Sequence, residues 1–123
     1  MRLTVLAVLM LASVVAGCTG STPQGPPGLE VQAIADTHHG EHFAPDQLTV
    51  HVGDTVTFRV VGTSSHTVDF GTDNKSPVDG VSAPHSGNLG PGMTAAVTFA
   101  KPGVYPYFCQ YHLPGMQGTI TVE

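Results

Sequence analysis

Near the C-terminus a cysteine, a histidine and a methionine fall within one short stretch, as Cys109, His112 and Met116 in the pattern Cys-x2-His-x3-Met. Thiolate, imidazole and thioether are all soft or borderline donors. Two histidines, one cysteine and a weak, long methionine contact are the donor set of a mononuclear copper site that passes electrons. The spacing is physically sensible. Cys109 closes an apparent strand, and the Pro114-Gly115 turn lets the chain loop back so that His112 and Met116 reach the same point. The second imidazole must come from elsewhere, and His66 is the candidate. Alternation puts His66 on one strand face with Val68 and Phe70, and burying an unpaired imidazole costs on the order of 1–3 kcal/mol. Taken alone, His66 reads as a core histidine satisfied by backbone.

The cysteine count bears on the same site. The chain has two cysteines. If Cys18 is consumed elsewhere, Cys109 is a lone thiol in an exported protein, an uncommon situation in an oxidising compartment. It is then a buried inert thiol, a nucleophile, a dimer-forming thiol or a metal ligand, and its neighbours favour the last.

The elements that must position these donors read as β throughout. Leu48-Thr49-Val50-His51-Val52 and Thr55-Val56-Thr57-Phe58-Arg59-Val60 alternate apolar and polar residues across Gly53-Asp54, as a hairpin or a tight corner. Further strand-like segments are 29–35, 66–70, 93–99, 103–109 and 118–122, punctuated by Pro84, Gly87, Gly90-Pro91-Gly92, Pro102-Gly103 and Pro114-Gly115. Ala95, Val97 and Phe99 share one face, as do Tyr105, Tyr107 and Cys109. Pro106 has no N–H to give a ladder, so it favours an edge or an irregularity. Six to eight short strands in this length predict an antiparallel sandwich or barrel.

The first residues stand outside that domain. Arg2 precedes an apolar run from Leu3 to Val15, too short to cross a bilayer as a helix of ~20 residues but suited to a signal peptide. Val15-Ala16-Gly17-Cys18 resembles the bacterial lipoprotein signal, which implies lipidation of Cys18, residues 1–17 as the signal peptide and attachment to a membrane. Residues 18–28, mostly Pro, Gly, Ser and Thr, read as an extended linker, and 29–123 as one domain. Beyond the leader, Arg59, Lys75 and Lys101 face nine acidic residues. That balance gives no footprint for nucleic acid and suits a basic protein partner.

The domain also resembles the cupredoxins, small blue-copper proteins of the plastocyanin, pseudoazurin and amicyanin type. The resemblance rests on Phe43 to Phe58, on Ser65-His66-Thr67-Val68, on Gly103 to Cys109 and on Gly115 to Val122. It implies an all-β Greek-key sandwich of about eight strands, one type 1 copper near one end, and Cu(I)/Cu(II) cycling without catalysis. His66 and His112 would bind through imidazole nitrogen, Cys109 as thiolate and Met116 as the axial ligand. It implies a monomer that serves redox protein partners at the cell envelope, facing periplasm or cell exterior. Leu113 and Pro114, with Pro45, Leu89 and Met93, would ring the edge of His112 as a docking patch. Many relatives carry Asn beside the first histidine. Here Ser64, Ser65 and Thr67 stand there, and a hydroxyl would have to tie the ligand loops together. An envelope copper-delivery protein using the same ligands is the alternative function. A copper enzyme would need further copper sites and more domains.

Five histidines remain. His38, His39 and His42 cluster with Glu41 in an apparent loop, which is either a second metal site or a solvated polar segment. His51 and His85 read as surface residues.

Overall fold

A computed structural model describes residues 29–123. Cys18, the leader and the linker lie outside the described residues. Eight strands form in chain order: β1 (Glu30–Asp36), β2 (Gly40–Ala44), β3 (Gln47–Val50), β4 (Thr55–Val61), β5 (Asp69–Phe70), β6 (Thr94–Thr98), β7 (Gly103–Phe108) and β8 (Gln117–Val122). They make two four-stranded sheets, β2-β1-β4-β6 and β3-β8-β7-β5. Pairing is antiparallel except for β1 with β4 and β3 with β8.

Alternation explains the packing. In β4 Val56, Phe58 and Val60 are buried while Thr55, Thr57 and Arg59 are only partly covered. Val31 and Ala33 of β1, Val97 of β6, Tyr105 and Tyr107 of β7, and Ile120 and Val122 of β8 fill the same space between the sheets. Aromatic rings run through its middle: Phe58 meets Tyr107 at 5.2 Å and Phe70 at 6.0 Å, and Tyr107 meets Phe43 at 4.8 Å, all edge-to-face. Edge-to-face contacts add to what the buried area already contributes.

The Gly53-Asp54 step is a corner and not a hairpin. β3 and β4 belong to different sheets, and Gly53 turns the chain between them at φ 92°, where a side chain would be strained. Pro106 is the irregularity its chemistry requires. Its carbonyl accepts from Gly71 N–H at 3.2 Å just beyond the end of β5. A strand residue points N–H and C=O to the same side, so the missing donor faces the place where that ladder has already stopped.

Two local expectations fail. The segment of Glu41 and His42 is strand β2 rather than loop, because it pairs with β1 from Gln32↔Ala44 to Asp36↔Gly40. The His66–Phe70 segment does not alternate. Only Asp69 and Phe70 are strand, and all five residues are buried, because residues of the 76–89 stretch cover the face that alternation assigns to solvent: His66 bridges Leu89 and Asp69 bridges His85.

Candidate metal centre

The sulfur of Cys109 sits where β7 ends. Tyr105, Tyr107 and Cys109 share the inward face of that strand, so register alone aims the thiol into the interior, and Cys109 is fully buried. The loop that follows folds on its own backbone. His112 N–H donates to Cys109 O at 3.3 Å, Gly115 and Met116 N–H both donate to His112 O, and Cys109 N–H donates to Met116 O at 3.1 Å. These bonds return the chain to β8 with Met116 fully buried beside Cys109. His66 arrives on the segment that leads into β5, the neighbour of β7 in the same sheet. A reciprocal pair of backbone bonds with Leu89, at 2.9 and 2.8 Å, holds it without a formal strand.

The three classical donors converge. Cys109 Sγ lies 3.9 Å from His66 Nδ1 and 3.4 Å from His112 Nδ1. All three donor atoms lie within 4.8 Å of one another, and among the described residues this is the one such group of three or more His, Cys, Asp or Glu. A first-row ion bound ~2.3 Å from sulfur and ~2.0 Å from nitrogen, at angles between tetrahedral and trigonal, holds those donors ~3.5–3.7 Å apart. The two sulfur–nitrogen separations straddle that range, so Cys109 is spaced from each histidine for a shared metal to within a few tenths of an ångström. The imidazole rings stand 5.0 Å apart between centroids, tilted by 54°.

A sequence profile described as copper binding proteins, plastocyanin/azurin family, matches residues 30–123. The chain belongs to that family. It is 34% identical to plastocyanin of Prochlorothrix hollandica over 94% of this chain and 90% of that protein. Amicyanin of Paracoccus versutus superposes with a TM-score of 0.58 at 26% identity, over 76% of this chain and 79% of that one. A copper-containing nitrite reductase of Thermus scotoductus matches with a TM-score of 0.61 at 29% identity, over 87% of this chain but only 25% of the larger protein. The cupredoxin sandwich expected from the residues is therefore the fold, and a donor set of two His, one Cys and a buried Met fits one type 1 copper.

The surroundings of the donors are specific to this sequence. Thr67 N–H points at Cys109 Sγ at 3.3 Å, the kind of contact that tunes a copper thiolate. Thr67 Oγ1 accepts from Gln110 N–H at 3.0 Å, so the hydroxyl does tie the two ligand segments together. The same hydroxyl donates to Asp69 Oδ2 at 2.6 Å. Asp69 is itself buried, and its other oxygen meets His85 Nδ1 at 3.2 Å, while His85 Nε2 lies 2.7 Å from Ser76 O. His85 is thus a half-covered member of a polar chain and not the free surface residue expected of it.

His66 is held below the ordinary imidazole range, first by burial, against which the nearby Glu41 charge pulls upward and His112 adds to the lowering. Glu41 was grouped with the histidine loop by sequence. Its carboxylate instead reaches the metal histidines, at 3.4 Å from His66 Nε2 and 3.8 Å from His112 Nε2.

His39 and His42 both turn toward Asp36, at 3.3 and 4.0 Å, and His42 Nδ1 also meets Gly40 O at 3.1 Å. His38 contributes only its backbone N–H to Asp36. These histidines do not gather as the ligands of the first centre do. His51 is exposed beside Asp54. Leu113 is 52% exposed and Pro114 is exposed beside it, next to His112, whose side chain is 26% exposed. Leu89 is buried and drops out of the expected apolar ring, since its backbone and side chain serve His66 and the core. Tyr111 joins the surface there instead, edge-on to His112 and bonded to Asn88.

Proposed function

We propose that this chain is a one-copper electron carrier whose ligands are His66 Nδ1, Cys109 Sγ, His112 Nδ1 and the thioether of Met116. Copper held there accepts and releases one electron between Cu(II) and Cu(I). The observation that carries the reading is the convergence of the sulfur and the two Nδ1 atoms from segments more than forty residues apart. The ligand loop and the His66 bridge are fixed by backbone hydrogen bonds, so the cage keeps one shape for both oxidation states. Four protein donors leave no open position for a substrate, which separates a carrier from a copper enzyme. Complete burial of Cys109 and Met116 also disfavours copper delivery, because handover requires an acceptor to reach the ligands.

Electrons pass at the exposed edge of His112. Leu113 and Pro114 form the apolar rim against which a redox protein docks through a small, short-lived contact. The leader supports export, and lipidation of Cys18 supports a carrier held at the outer face of a membrane. The carrier itself works as a monomer.

A visible spectrum of the copper-loaded protein tests the centre. A strong thiolate-to-Cu(II) band that bleaches reversibly with one electron is expected, and Cys109→Ser removes it. A colourless protein that takes up no cupric ion sinks the reading. For the anchor, Cys18→Ser should release the protein from the membrane fraction of expressing cells, and retention there would refute lipidation.

A further inference from the structure

We propose that Glu41 is a positioning residue shared by both metal histidines, and that its charge biases the couple toward Cu(II). This rests on the copper reading above. Glu41 stands on β2 opposite Ala35, with its side chain 27% exposed. Ser64 O–H donates to its Oε1 at 3.0 Å and fixes the carboxylate. That leaves Oε1 3.8 Å from His112 Nε2 and Oε2 3.4 Å from His66 Nε2.

Two of these atoms, Glu41 Oε2 and His66 Nε2, are buried and otherwise without a hydrogen-bond partner. Buried orphans are rare enough to need a reason. Here each is the other's nearest remedy. An imidazole that gives its Nδ1 lone pair to a metal carries its proton on Nε2. Both rings then present an N–H toward one carboxylate. Metal-bound histidines commonly donate their second N–H to a carboxylate, which orients the ring and strengthens it as a donor. In this site a single carboxylate stands near the Nε2 of two ligands at once, 3.4 Å from His66 and 3.8 Å from His112, so its charge acts on both while its one near-bonding contact is to His66.

The consequence has a sign. A carboxylate behind both imidazoles strengthens their donation, and its negative charge favours the more positive ion. One electron delivered by an external reductant converts Cu(II) to Cu(I), with no protein bond made or broken. Removing the charge should therefore ease reduction.

A one-electron redox titration tests this. Glu41→Gln keeps the shape and loses the charge. It should weaken Cu(II) relative to Cu(I) about tenfold, a rise in potential of about 59 mV for a one-electron couple. Glu30→Gln removes the same charge at the far end of β1, where Glu30 pairs with Arg59, and should leave the potential unchanged. Glu41→Asp retains the charge but withdraws it by one methylene, and should give a smaller rise. If Glu41→Gln folds poorly, as unfolding of the metal-free protein would show, Glu41→Asp decides the matter. A potential that moves no more for either Glu41 variant than for Glu30→Gln overturns the assignment while leaving the copper reading intact. A wild-type protein without the thiolate-to-Cu(II) band would instead defeat the reading beneath it.

Discussion

Thr67→Val should cost this domain about 3 kcal/mol even with no metal bound. The side chain is fully buried and the replacement is nearly the same shape, so packing changes little. What disappears is one oxygen with two jobs. It donates to the buried carboxylate of Asp69 at 2.6 Å and accepts from Gln110 N–H at 3.0 Å. A hydrogen bond to a carboxylate contributes ~1.5–3 kcal/mol and a neutral one ~0.5–1.5 kcal/mol. Asp69 keeps only His85 and its remaining contacts, and water cannot replace the hydroxyl where the residue is 2% exposed. In a domain of this size ~3 kcal/mol corresponds to a fall in Tm of roughly 12–24 °C. The assay is urea unfolding of metal-free protein, since bound copper would add its own stabilisation by mass action. Thr67→Ser, which keeps the oxygen, should lose only about 1 kcal/mol for the missing methyl group. A double-mutant cycle with Asp69→Asn should show coupling of about 1 kcal/mol or more. If Thr67→Val falls within 1 kcal/mol of wild type, or the two changes are additive, the buried polar chain does not hold the ligand segments as argued.

Four further outcomes are expected. Gly118→Ala should destabilise by about 3 kcal/mol on denaturation, because its Cβ would strike the ring end of Tyr107 and come within 2.8 Å of the Asp46 carbonyl; an effect below 1 kcal/mol would show that the ring has room to move. Tyr107→Phe should stabilise by about 1 kcal/mol, since its hydroxyl is buried without a partner and its ionisation is pushed well above the ordinary phenol range by burial and then by Asp46; a loss of stability would reveal a bond not accounted for. Asp73 is held down from 3.8 to about 2 by N–H donors from Ser76 and Lys75 and the Ser76 hydroxyl, so its contribution is present above pH 4 and disappears as pH falls from about 4 to 2; Asp73→Asn should flatten that part of the stability profile, and an unchanged slope would refute it. Leu113→Glu should slow electron exchange with a docking redox protein by about tenfold, without altering the visible spectrum, and an unaltered rate would move the docking patch elsewhere.

The donors were legible because metal chemistry restricts residue type and spacing together. Cys109, His112 and Met116 sit on one loop, and alternation along Tyr105-Pro106-Tyr107-Phe108-Cys109 already aimed the thiol inward. His66 was legible for a weaker reason, as an imidazole in register with Val68 and Phe70. The same alternation misplaced Asp69, because period-two reasoning knows two faces of a strand and not the 76–89 stretch that covers the second one. Glu41 was hidden differently. Its neighbours His38, His39 and His42 made a polar cluster that looked self-contained, and nothing in the local pattern shows that the pairing of β2 with β1 carries this one carboxylate across to Ser64 and His66. Asp69 and His85 are likewise sixteen residues apart and meet only through the fold. Long-range polar partners leave no periodic trace, which is why the ligands and the tying hydroxyl beside His66 could be read while Glu41 and the Asp69–His85 pair could not.

β1 runs the height of the sandwich. At one end Leu29 O accepts from Thr57 N–H, and six residues on Ala35 lies opposite Glu41, beside the metal histidines. At ~3.3 Å per residue those two ends are ~20 Å apart. The chain therefore enters the domain at the base of the sandwich, opposite the metal histidines. The end that carries the metal histidines is thus the end farthest from where the chain enters the domain at Leu29.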